Sequence, residues 1–161
     1  MPDYDDRNKK EEFDLAMAFI DKYEPDVNRL MKYVPYFEQK SGRDVAHDYD
    51  GEQGQTTMKF PVYDGTLMNF IREAQKTCLM DRNYPYAYSR NHVRTRSQEL
   101  MLIDKATIRD DAYLRGVISK YVMEGMRKTG MWQDAVEDQI FLKVILRFKQ
   151  IICYYKSIRE E

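Results

Sequence analysis

Between Leu114 and Tyr155 the chain repeats its apolar residues with a period that only a helix uses. Leu114, Val117, Ile118, Tyr121 and Val122 recur at the i, i+3, i+4, i+7, i+8 spacing of a helix with one buried face. Asp110 and Asp111 stand before this stripe, where short acidic side chains suit the free N–H groups and the positive end of the dipole. Arg127 and Lys128 fall in its last turn, where cations suit the other end, and Gly130 fits the left-handed position that ends a helix. A second set begins at once: Trp132, Ala135 and Val136 form one stripe. Leu142, Ile145, Ile152 and Tyr155 form another, widened by Phe141, Val144, Phe148 and Ile151. The two are out of phase, because one heptad beyond Trp132 and Val136 lie the polar Gln139 and Lys143. The spacing predicts a short helix, a break near Asp138–Gln139 and a long C-terminal helix; one continuous helix over 131–156 is the alternative.

The same rule reads the rest of the chain. Residues 1–7 are polar and are expected to form a loose tail. Phe13, Ala16, Met17 and Ile20 predict a first helix ending before Pro25. Asp26 is placed to cap a second helix carrying Val27, Leu30, Met31, Val34 and Phe37, with Pro35 kinking or shortening it, and Ser41-Gly42 closes the pair. Residues 42–55 read as a loop. Residues 56–63 have some alternation, but Pro61 keeps them from being a central strand, so a minor extended piece is expected. Leu67, Phe70, Ile71, Ala74 and Cys78 share a helical face that ends near Asp81, and Leu100, Met101, Ile103 and Ile108 mark another helix. The expected fold is all-α, a single-domain helical bundle of five to seven helices over 1–161.

With 161 residues the chain is long enough to bury a core without disulfides or metal staples. Its 26 basic and 27 acidic residues give a formal net charge of −1, so no global field favours nucleic acid or an anionic membrane. Cys78 and Cys153 stand far apart among apolar positions and read as small buried hydrophobes in a reducing compartment. The polar start lacks the apolar segment of a signal peptide, and no run approaches the ~18 apolar residues of a spanning helix. A cytoplasmic protein with no membrane partner is expected. Its 13 tyrosines and 10 methionines supply amphipathic area and gap-filling volume, chiefly for core packing.

Residues 82–98 form the most suggestive cluster: Arg82, Tyr84, Tyr86, Tyr88, Arg90, Arg94 and Arg96 occur there with no acidic residue between them. Arginines contact phosphates and tyrosines stack on unpaired bases, which makes this segment a candidate nucleic-acid surface. The competing reading is a surface connection whose tyrosines plug onto the core and whose arginines pair with nearby acids. His47 to Glu52 invites a calcium reading, but an EF-hand register with Gly51 at the sixth position puts Ala46 at the first and Thr57 at the twelfth, where ligands are required. No metal site is expected. His47 and His92 sit in polar surroundings outside any nucleophile signature. Glu124, Glu137 and Asp138 supply neighbouring carboxylates whose helical positions favour capping or solvated roles over catalysis. Neither G-x-x-x-x-G-K-[ST] nor G-x-G-x-x-G is present, and no cofactor or catalytic residue is assigned. Trp132, the single tryptophan, reads as a core anchor between the C-terminal helices, with an exposed interface anchor as the alternative.

The run Val117 to Lys149 resembles the C-terminal part of an uncharacterised family of small helical bacterial proteins often carried by mobile genetic elements. The residues that carry the resemblance are Arg127, Gly130, Trp132, Ala135-Val136-Glu137-Asp138, Phe141-Leu142 and Arg147, with a fainter echo from Phe60 to Tyr88. The family usually has Gly where this chain has Gln139. The resemblance implies a helical domain, a bacterial origin and no established activity. The favoured function is a non-enzymatic helical binding or regulatory module with a protein partner. A nucleic-acid-binding accessory protein using residues 82–98 is the alternative, and an enzyme of unknown class comes third.

Overall fold

The computed structural model describes residues 4–48 and 61–159. Among them are eight helices: α1 (Tyr4–Met31), α2 (Val34–Gln39), α3 (Gly65–Ala74), α4 (Tyr84–Arg90), α5 (Arg96–Lys105), α6 (Asp111–Glu124), α7 (Met131–Glu137) and α8 (Ile140–Arg159). One antiparallel pair, β1 (Ala46–Asp48) and β2 (Pro61–Tyr63), joins them in the register Ala46↔Tyr63, His47↔Val62, Asp48↔Pro61. The fold is an all-α single-domain bundle. The helix number exceeds the expected range by one: α4 is too short to show a repeating stripe.

Several boundaries differ from the sequence reading. The expected tail is already helical from Tyr4. The first helix does not stop at Pro25 but runs through it to Met31, so Asp26 caps nothing. Ala16, Phe19, Ile20, Tyr23, Val27 and Leu30 form one uninterrupted buried stripe on α1. Burial of that stripe outweighs the ~3 kcal/mol a mid-helix proline costs, and the Pro25 ring itself faces outward. The chain breaks instead before Pro35, which occupies the first turn of α2, where a missing N–H costs nothing. Asp26 accepts from the Cys78 N–H at 2.9 Å and so ties α1 to the turn after α3. Part of the expected loop 42–55 is strand β1, and the extended segment 56–63 is strand at Pro61–Tyr63; the calcium-like run from Tyr49 onward lies outside the described residues. In a two-stranded pair every strand is an edge, so Pro61 is tolerated.

The long C-terminal run is two helices, broken at Asp138–Gln139, where Gln139 takes a left-handed φ of 60°. That twist lets the stripes of α7 and α8, out of phase in sequence, reach one core. Trp132, Ala135 and Val136 are buried on α7, and Ile140, Phe141, Leu142, Val144, Ile145, Phe148, Ile151 and Ile152 on α8. The centre is aromatic. Phe148 of α8 lies 5.8 Å from Phe19 and 5.1 Å from Tyr23 of α1. Phe141 lies 5.0 Å from Phe70 of α3 and 5.8 Å from Phe37 of α2. The α1–α8 seam is rimmed by polar contacts, Lys149 to Asn28 at 2.7 Å and Lys156 to Glu24 at 2.8 Å. Phe13, at the far end of α1, is 44 % exposed and leaves the expected core, and Cys153 is exposed on α8 while Cys78 is half-buried.

Candidate functional site

The candidate site lies where α4, α5 and α6 meet. α4 and α6 approach closely because position 116 carries no side chain: a Cβ on Gly116 would stand 2.7 Å from that of Ala87. α5 starts with a capping box. The Thr95 hydroxyl accepts from the Gln98 N–H at 3.1 Å, and the Gln98 side chain accepts from the N–H groups of Arg94 at 2.8 Å and Thr95 at 3.1 Å. This fixes the first turn of α5 and directs the next residue, Glu99, inward.

Glu99 is only 3 % exposed. One carboxylate oxygen accepts from Tyr88 of α4 at 2.7 Å, and the other from Tyr121 of α6 at 2.6 Å. Arg96 places its Nε 3.3 Å from the second oxygen, and Tyr113 donates to the main-chain carbonyl of Glu99 at 2.8 Å. Charge-assisted bonds of this length to a carboxylate this deeply buried are stronger than their exposed counterparts. Burial, and then the adjacent Glu99, pushes the hydroxyls of Tyr88, Tyr113 and Tyr121 well above the usual phenol range. The three phenols therefore act as donors, and Glu99 cross-links the helices that carry them.

Above this knot lies a cleft of about 240 Å³ lined by Tyr88, Arg94, Thr95, Arg96, Lys120 and Tyr121, with Glu99 at its floor. The Lys120 ammonium rests 4.4 Å from the Tyr88 ring centroid and 5.7 Å from that of Tyr121. The Arg96 guanidinium lies 5.5 Å from the Tyr121 ring and pairs through Nη1 with Asp138, at the end of α7. Arg94 and Lys120 form no ion pair among the described residues. Beside α4, a smaller cleft of about 140 Å³ is lined by Tyr86, Arg90 and Arg109 together with Asp81 and Asp110. Tyr86 is 59 % exposed there.

The Arg/Tyr segment thus divides. Tyr88 and Arg96 turn toward Glu99, as the core-plugging reading requires. Tyr84 is half-buried, its phenol held above the usual range by burial and by Glu124. Arg82, Tyr86, Arg90 and Arg94 remain on the surface, and none of the three arginines pairs with an acid among the described residues. Of the C-terminal anchors, Arg127 is exposed in the turn after α6, and Gly130 takes a left-handed φ of 83°. Trp132 is buried and donates from its indole N–H to the Tyr121 carbonyl at 2.9 Å, a core anchor as expected. Glu137 accepts from the Gly42 N–H at 2.7 Å. Asp138 pairs with Arg96, which joins two residues singled out for unrelated reasons.

Sequence reasoning passed over Glu99 and Lys120. Thr95-x-x-Gln98 was a legible helix start, and a carboxylate just inside it reads as a solvated first-turn acid. Nothing local distinguishes it from one buried by tyrosines eleven and twenty-two positions away. Among the described residues no three His, Cys, Asp or Glu side chains gather as metal ligands, and no helix is long and apolar enough to cross a membrane. Comparison with protein-family models, curated proteins and solved structures gives no match.

Proposed function

We propose that this protein is a non-enzymatic helical binding module whose working surface is the α4–α5 face. The observation that carries this reading is the division of the Arg/Tyr segment: its inward half locks the bundle, while Arg82, Arg90 and Arg94 are exposed and form no ion pair among the described residues. Exposed, unpaired guanidinium groups on a rigid scaffold steer and orient an anionic partner. The carboxylates that an enzymatic reading would recruit have other duties: Glu124 pairs with Lys128, Glu137 holds the Gly42 N–H and Asp138 holds Arg96. The resemblance over 117–149 supports a further clause, that the module is bacterial and serves a mobile element.

The test is a comparative capture from extract of the source cell. Replacing Arg82, Arg90 and Arg94 together by Gln should abolish recovery of whatever the wild type retains, with thermal stability unchanged because these side chains are exposed. Retention of the same partner by the triple variant sinks the assignment of this face. The nucleic-acid reading uses the same surface and is favoured by the exposed Tyr86 beside Arg90, a ring available for base stacking.

A further inference from the structure

The cleft over Glu99 has a composition that the surface arginines alone do not explain. Its mouth gathers three cations, Arg94, Arg96 and Lys120, and the hydroxyl of Thr95. The cations differ in how they are held. Arg96 is anchored by Glu99 and Asp138 and keeps Nη2 free of both. Lys120 is positioned by the faces of Tyr88 and Tyr121 rather than by an acid. Arg94 is held at its main chain, where its N–H donates to Gln98, while its guanidinium is exposed. The Thr95 hydroxyl oxygen accepts from the Gln98 N–H, which leaves its own proton to donate outward. Among the described residues Glu99 is the acid that lines the cleft, and it and Asp138 are both committed to Arg96. Three cations against two carboxylates leave the cleft net positive, with donors arranged about a space wide enough for one compact anion.

We propose that this cleft binds a phosphate group carried on a nucleotide or on a single nucleic-acid strand. The proposal rests on the α4–α5 face being the working surface and names what that face holds. Arg94 and Arg96 offer the planar donors, Lys120 the point charge and Thr95 the hydroxyl that phosphate recognition combines. The buried carboxylate beneath keeps the tyrosine donors turned away from the ligand and fixes the ring faces on which Lys120 rests.

The experiment titrates the nitrogen-15-labelled full chain with inorganic phosphate, with thymidine monophosphate and with a short fluorescein-labelled oligothymidylate; a phosphoserine peptide serves as the competing class. Amide signals of residues 94–97 and of Lys120 should move with every nucleotide-borne phosphate. Arg94→Gln and Lys120→Met, the latter keeping the stem that packs on Tyr88, should each weaken oligothymidylate binding on the order of tenfold, the loss of one charge-assisted bond. The dependence on salt should become shallower with each substitution. Unchanged thermal midpoints confirm that the fold survives, and Lys76→Gln, in the turn after α3, should bind as wild type. Signals that move elsewhere, or affinities indifferent to Arg94 and Lys120, overturn the proposal. So does tighter binding of the phosphoserine peptide than of the oligonucleotide. Binding lost with Arg82→Gln and Arg90→Gln but intact with the cleft substitutions keeps the face and overturns the cleft.

Discussion

Two regions of this molecule use aromatic side chains in opposite ways. Along the α1–α8 seam, Phe19, Tyr23 and Phe148 pack ring against ring at 4.8 to 5.8 Å, and stability comes from area removed from water and from fitted shape. At the α4–α5–α6 junction, Tyr88, Tyr113 and Tyr121 turn their hydroxyls onto one buried residue. At Phe19 and Phe148 the first arrangement is tolerant, because another hydrocarbon of similar volume fills the same space; Tyr23 is the exception, its hydroxyl donating to Asp111 at 2.6 Å. The second is less forgiving, because each partner removed leaves a largely desolvated polar group without its hydrogen bond. A helix seam that must only hold can be apolar. A junction that must also present Arg94, Arg96 and Lys120 in fixed positions gains from directional bonds.

Alkali should give the largest effect. Burial, with an acidic partner beside it, raises the phenols of Tyr23, Tyr88, Tyr113 and Tyr121 above the ordinary 10.0 and those of Tyr33 and Tyr155 to about 12. A group whose folded value is raised contributes stability that is whole below the unfolded value. That contribution is lost as pH climbs beyond it, here above about 10. The ionisation of these buried tyrosines and the circular dichroism should therefore change together in one steep step. Gradual ionisation of all 13 tyrosines in a still-folded protein would show that the junction is open to water.

Truncation comes next and should not separate the regions. Phe148→Ala should cost about 3–5 kcal/mol from cavity and transfer terms, and Glu99→Ala a comparable amount, about 1–3 kcal/mol for each of the two phenol hydroxyls left unpaired, both read by urea unfolding. Isosteric changes should separate them. Phe148→Leu should cost less than about 1.5 kcal/mol. Glu99→Gln should cost about 2 kcal/mol, because an amide offers one accepting oxygen where two tyrosines and Arg96 require two. Equal costs for these two would erase the distinction. The smallest effect is at the α7–α8 break. Gln139→Gly should stabilise by about 1 kcal/mol by relieving a left-handed conformation that a side chain disfavours. A loss of stability there would mean that the Gln139 side chain contributes to the junction.

Much of the fold was legible, and unevenly so. The stripe of α6, the break at Asp138–Gln139, the burial of Trp132 and the face of α3 as far as Ala74 followed from spacing, because they depend on residues a few positions apart; α3 ends at Ala74 rather than near Asp81, so Cys78 lies in the turn beyond it. Pro25 marks the wrong end for the first helix, since local propensity argues for a stop and only the covering α8 supplies what offsets it. The clustered arginines and tyrosines were visible, but their division into inward and outward halves was not. Tyr88 and Arg96 are indistinguishable from Tyr86 and Arg94 until α6 brings Tyr121 and Lys120 alongside.

By itself, the sequence determined that this chain is helical and which stripes face inward, because helical period and side-chain hydrophobicity act over one or two turns. The tertiary structure alone decided that Glu99 is buried, that three tyrosines converge on it and that Lys120 stands over the Tyr88 ring. The physical reason is range. A hydrogen bond between residues distant in sequence leaves no periodic trace, and the desolvation that gives it strength exists only once the helices have closed around it.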